Sequence, residues 1–109
     1  MKALLVISAL QKLLHDENIA ITQHAKNRLV ERGLSVEDIK NAIRTGEIIE
    51  QYEDDKPFPS CLLVGSSKQN GLIHVVASID AGYLYVITAY TPDKNEWESD
   101  LKTRKGKQL

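Results

Sequence analysis

One cysteine, one methionine, one tryptophan and one phenylalanine stand among 109 residues. The lone Cys61 excludes an internal disulfide and a zinc cluster of thiolates, and it fits a reducing cytoplasm. No apolar run is long enough to span a membrane. Charge of one sign is also scarce: 14 Lys and Arg against 15 Asp and Glu give a net charge of −1, which argues against a generic nucleic-acid coat. The three histidines show no tight metal-ligand spacing, so neither a metal nor another cofactor is expected. There is no repeat, low-complexity stretch or linker. A chain with 42% apolar and 27% charged residues reads as one soluble globular domain over residues 1–109.

What charge there is lies unevenly. Residues 47–55 hold Glu47, Glu50, Glu53, Asp54 and Asp55 and no basic residue, whereas residues 101–109 hold Lys102, Arg104, Lys105 and Lys107 and no acidic one. The bland reading is a solvated acidic hairpin edge and a frayed basic tail; the sharper one is a local basic surface. At the N-terminus a lysine precedes a short apolar run, but Ala3, Val6, Ile7, Leu10, Leu13 and Leu14 keep helical spacing through Gln11 and Lys12. No small-residue cleavage site follows, so an amphipathic first helix is preferred to a signal peptide.

Further along, Thr22 is placed to cap a helix over about residues 23–32 that Gly33 ends. Ser35 and Asp38 make a capping-box-like start. Val36, Ile39, Ala42 and Ile43 form an apolar stripe, and Gly46 ends that helix. The period then changes from 3.6 to 2. Strands are expected over 47–53, 60–65, 72–79 and 83–90, with a loop at Ser67–Gly71 and a turn at Asp80-Ala81-Gly82. Trp97 falls in a polar tail read as a short helix. The order implies an α+β fold, with N-terminal helices packed on one face of a four-stranded antiparallel sheet and the other face partly open.

The segment His24-Ala25-Lys26-Asn27-Arg28-Leu29-Val30-Glu31-Arg32-Gly33 is the richest in chemistry. On a helix, His24, Arg28 and Arg32 share a side at i, i+4 and i+8. That places a group titrating near neutrality beside two permanent charges whose donor forks fit phosphate. If a three-residue turn pairs Ile79 with Tyr83, then His74 lies opposite Thr88, and parity puts His74, Thr88 and Tyr90 on one sheet face. The other face would carry Ile73, Val75, Ala77, Ile79, Tyr83, Tyr85, Ile87 and Ala89 beneath the helices. Each residue also has an ordinary reading: His74 as a half-buried strand histidine, Thr88 and Tyr90 as good strand formers, Arg32 as a helix C-terminal charge, Cys61 as core.

The pieces HAKNRLVERGLS, GEIIEQY, LLVG, HVV and ITAYTPDKNEW, in this order over about residues 22–100, resemble a bacterial family of small proteins known as a domain of unknown function. That family looks related to the RelE, BrnT and MqsR toxins, small α+β ribonucleases with helices on an antiparallel sheet. The resemblance implies a RelE-like fold and a metal-independent endoribonuclease of the toxin–antitoxin type. It also implies RNA as substrate and a small antitoxin-like, zinc-binding protein as partner. In such chemistry the ribose 2′-OH attacks, so the protein needs a base, an acid and cations on the phosphate. His24 and His74 are the proton carriers on offer, and Arg28 the clamp. Thr88 and Tyr90 would position phosphate or stack a base, and Lys26 and Arg32 would add RNA contacts. Two other classes stay open. One is a non-catalytic protein-binding module of the same fold, docking a partner through the sheet edge or the acidic strand 47–55; for any small protein partner the hairpin region 47–66 is the expected dock. The other is a helix-turn-helix DNA binder, disfavoured by Glu37 and Asp38 at the start of its would-be recognition helix.

Overall fold

The computed structural model describes residues 4–68 and 71–106. Ala3 of the expected first stripe, Gln69 and Asn70 of the expected loop, and Lys107 of the basic run lie outside them. The elements run α1 (Ile7–Lys12), a 3-10 turn (Asp16–Asn18), β1 (Ile19–Ile21), α2 (Gln23–Glu31), α3 (Val36–Thr45), β2 (Glu47–Tyr52), β3 (Ser60–Ser66), β4 (Leu72–Asp80) and β5 (Tyr83–Tyr90). Among the described residues, three helices and a five-stranded sheet make an α+β fold. No helix among the described residues is long and apolar enough to cross a membrane.

Both main helices start where their caps dictate. The Thr22 hydroxyl accepts from the Ala25 N–H at 3.0 Å, and Ser35 and Asp38 form a reciprocal capping box. Gly33, at φ +70°, supplies the left-handed turn between them. The stripe of α3 is buried as its spacing requires: Ile39, Ala42 and Ile43 are at most 2% exposed. They meet Cys61, Leu63, Ile73, Val75 and Ala77 on the facing side of β3 and β4. Leu10 of α1 and Leu29 of α2 close the same core. Gln11 of α1 donates to the Ile43 and Arg44 carbonyls, which a helix C-terminus leaves without their i+4 donors.

The sheet corrects the expected four antiparallel strands. Its order is β1-β5-β4-β3-β2, and the added strand β1 runs parallel to β5, pairing Ile19–Ile21 with Leu84–Val86. Three residues are too few to show an alternation, so β1 is silent in the sequence. The β4–β5 turn also differs. Asp80 pairs with Tyr83 around a two-residue Ala81-Gly82 turn in which both residues have positive φ. Leu84 and Val86 therefore take the core positions assigned to Tyr83, Tyr85 and Ile87; Tyr83 and Ile87 are exposed. A bulge then restores the expected parity: Val76 pairs with Thr88 and Ala77 with Val86, leaving Ile87 as the extra residue. His74 faces Tyr90, not Thr88. A second bulge leaves Ile49 unpaired in β2, between Ile48↔Leu63 and Glu50↔Leu62.

The second sheet face is less open than expected, because residues 96–105 are neither helical nor frayed. Residues 96–105 form a small hairpin with a Trp97↔Arg104 bridge, and Trp97 is buried. The acidic and basic runs meet there. Lys102 pairs with Glu47 at 2.5 Å, and Arg104 donates to both carboxylate oxygens of Glu50 at 2.7 and 3.1 Å. Two of the basic-run charges are thus spent within the chain.

Candidate functional site

On α2 the side chains of Ala25 and Leu29 are buried, so they define the inward line of the helix. Each step of four residues advances about 40° around an α-helix. His24, Arg28 and Arg32 therefore drift along one flank, from solvent towards the sheet. His24 and Arg28 are exposed, and among the described residues Arg28 has only a long contact of 3.8 Å to the mostly exposed Glu31. Such a pair contributes little and leaves the guanidinium available. Arg32, the C-cap residue, arrives at β5: its Nη1 donates to Thr88 Oγ1 at 3.0 Å and to the Ala89 carbonyl at 2.9 Å. The reason is topological. β1 ends opposite Val86, so the last residues of β5 have no strand on that side, and a guanidinium takes the place of one.

Arg32, Thr88 and the half-buried Tyr90 thus form a group at the end of β5, continuous with the His24–Arg28 flank. Burial pushes the Tyr90 phenol up, the largest influence on it, while Arg104 and Arg32 pull down and Glu50 and Glu96 push up. It stays a neutral donor near neutral pH. Lys26 does not join this group. It lies on the opposite flank of α2, in a groove of about 600 Å³ lined by Asp16, Ile19–Thr22, Val36, Tyr85, Val86 and Ile87. Neither His24 nor Arg28 lines this groove or the two smaller cavities at the hairpin and beside β3.

His74 departs most from expectation. It is completely buried, on the sheet face away from the helices that carry His24. Its Nε2 donates to the Leu101 carbonyl at 2.7 Å, since a carbonyl can only accept. Trp97 packs edge-on against it, with centroids 4.5 Å apart and planes at 90°, and Tyr90 sits 5.4 Å away. The enclosed Nδ1 has no partner among the described residues. Burial lowers the affinity of the ring for a second proton; the Leu101 carbonyl and Glu50 favour that proton and Arg104 opposes it, and the balance stays below the ordinary histidine value. Closed in this way, His74 cannot reach a substrate. Of the five residues expected to act together, His24 and Arg28 lie on the α2 flank, Thr88 and Tyr90 at the β5 end that Arg32 links to it, and His74 stands apart as a sealed imidazole.

Sequence reading missed what seals it: Trp97, Leu101, Arg104, Glu50 and Tyr52. Arg104 lies over the Trp97 ring at 4.6 Å while gripping Glu50, and the Tyr52 hydroxyl donates to Glu50 Oε1 at 2.6 Å. The signal was present in the complementary charge runs 47–55 and 101–109, but nothing local showed that they meet. Among the described residues no group of three or more His, Cys, Asp or Glu is placed to hold a metal ion.

The family model of a domain of unknown function, DUF4258, matches residues 21–91, well over half of the chain, and the chain belongs to that family. No curated protein and no solved structure matches it.

Proposed function

We propose that this member of the DUF4258 family binds RNA along the α2 flank and the end of β5, and cleaves it without a metal in the manner of small toxin ribonucleases. The observation that carries the reading is the reach of Arg32 to Thr88 and Ala89, which joins two separate sets of phosphate-compatible groups into one surface. Arg28, held only by its long contact to Glu31 among the described residues, offers a fork for a phosphate, and His24 the exposed imidazole for moving a proton. Tyr90 supplies a neutral hydroxyl and a ring for a base. His74 is left out of the chemistry in this closed form.

The test is cleavage of a mixed RNA substrate in EDTA by the full chain and by Arg28→Ala and His24→Ala. Loss of one preorganised charge donor removes about 2.7–4 kcal/mol of transition-state stabilisation, a rate loss of about a hundredfold to a thousandfold. Folding should be unaffected, since both side chains are exposed. Undiminished cleavage by both variants would refute the site. Absence of both cleavage and RNA binding by the wild type would leave the second reading, a binding module for a small antitoxin-like protein. That reading is favoured by the groove beside β1, where a short edge strand and the apolar Ile19, Ile21, Val36 and Ile87 lie open to an extended segment. The alternative dock at residues 47–66 is weakened. Gln51 at that edge already holds both the N–H and the carbonyl of Leu5, and Glu47 and Glu50 are paired.

A further inference from the structure

The hairpin of residues 96–105 is closed by its own backbone bonds. Glu98 N–H donates to the Thr103 carbonyl at 2.8 Å, Leu101 N–H to Glu98 at 2.8 Å, and Lys105 N–H to Glu96 at 2.9 Å. None of its residues belongs to the core under the helices. It is fastened to the sheet by the Trp97–His74 packing, the His74–Leu101 bond and the exposed ion pairs to Glu47 and Glu50. A unit that keeps its own hydrogen bonds and lies outside the core can detach without opening that core.

We propose that residues 96–105 are an acid-released latch, in which a second proton on His74 lifts the hairpin off the sheet as a unit while the helix-covered core stays folded. The geometry of the closed state favours the neutral form of the ring. Neutral His74 uses its single N–H on Leu101 and leaves the Nδ1 lone pair enclosed. A proton on Nδ1 would set a buried N–H and a positive charge against the Trp97 and Tyr90 rings with no acceptor. Of the charged groups nearby, Glu50 would welcome that charge, but its carboxylate is already gripped by Arg104, which repels it.

The linkage follows. Lifted, His74 meets water and regains an ordinary imidazole affinity; closed, its affinity is lower. The lifted form therefore binds more protons. Closure is complete above the ordinary value and is lost as pH falls through the closed-state value, the open-to-closed ratio rising about tenfold per pH unit between the two. The latch does not require the RNA reading. If that reading holds, release would present a second imidazole beside Tyr90 and Thr88.

Trp97 is the only tryptophan of the chain, so its fluorescence reports the latch alone. The full chain is titrated from about pH 8 to about pH 4.5, across the imidazole range, with emission, acrylamide quenching and far-UV circular dichroism read together. The expected result is a reversible red shift and a several-fold rise in quenching while the dichroism is unchanged. His74→Gln, which can still donate to Leu101 but cannot titrate, should abolish the shift; if it does not fold, His74→Phe fills the same space and is read the same way. The proposal is overturned if Trp97 stays shielded down to the acid limit. It is equally overturned if emission and dichroism change together in the wild type, or if the shift persists in a folded His74 variant, which would move the trigger to Glu50. RNA cleavage is not a readout, so failure here and failure of the RNA reading remain separate.

Discussion

Replacing Gly65 by alanine should be the most damaging single-methyl change in this chain. α3 crosses β3 so closely that a Cβ on Gly65 would lie 1.9 Å from the Ala42 carbonyl oxygen, 2.6 Å from its carbon and 2.7 Å from its Cα. All three are backbone atoms, so no rotamer change relieves them. The helix must lift by about 1 Å, a gap that forfeits a quarter to a half of the dispersion well for each contact beneath it. Ile39, Ala42 and Ile43 all lie in that contact, and the bonds from Asn41 to the Ser66 carbonyl and from Ser66 N–H to Thr45 would stretch with it. Overpacking of a core costs about 1–3 kcal/mol, and a backbone obstacle belongs at the upper end, about 3 kcal/mol or more. At roughly 4 °C or more per kcal/mol, the Tm should fall by about 12 °C or more. Gly33→Ala is the control: it meets no atom within 4 Å and suffers only its φ of +70°, a cost of about 1 kcal/mol. Thermal unfolding of both variants by circular dichroism decides the matter. If Gly65→Ala loses no more than Gly33→Ala, the account of the close crossing is wrong.

Three other outcomes follow from particular contacts. Burial pushes Asp38 up, but N–H groups of Ser35 and Lys68 and the Ser35 hydroxyl outweigh it and hold the carboxyl below its usual value. Its stabilisation is thus present above the ordinary carboxylate range and lost as pH falls through the lowered value; Asp38→Ala should cost about 2 kcal/mol in urea unfolding, and Asp38→Asn should flatten that part of the pH–stability curve. Burial pushes the Cys61 thiol up to about 11, so a thiolate-selective reagent near neutral pH should label it only after denaturant is added, and prompt labelling of native protein would contradict its placement. Burial and the bond to Glu50 push Tyr52 up to about 12, so an ultraviolet alkaline titration should show a late-ionising tyrosine that disappears in Tyr52→Phe.

What could be read in the sequence was local. The caps at Thr22 and Ser35, the stripe Val36–Ile43 and the strand at Tyr83–Tyr90 all stand where short-range signals put them. The rest depended on partners distant in the chain. β1 is a strand only because β5 lies beside it. The face assignment in the first half of β5 turned on whether the turn held two residues or three, a difference of one residue that inverts the strand as far as its bulge. The α2 flank was legible from i+4 spacing, and its junction with Thr88 was not, because Arg32 reaches β5 only where β1 stops short. His74 looked like a candidate catalyst because nothing near it in sequence announces that Trp97 will cover it.

The two bulges give this sheet an uneven tolerance to changes in chain length. Elsewhere in β2 to β5, losing one residue would turn the following side chains from one face to the other and push polar groups under the helices. Ile87 and Ile49 are different, because each is already the surplus residue opposite a single partner. Removing either leaves every neighbour facing as before, and in the case of Ile87 also removes an exposed apolar side chain. Within the four long strands, these two positions are where a lineage of this fold could shorten by a residue and still keep Thr88 and Tyr90 on their present side of the sheet.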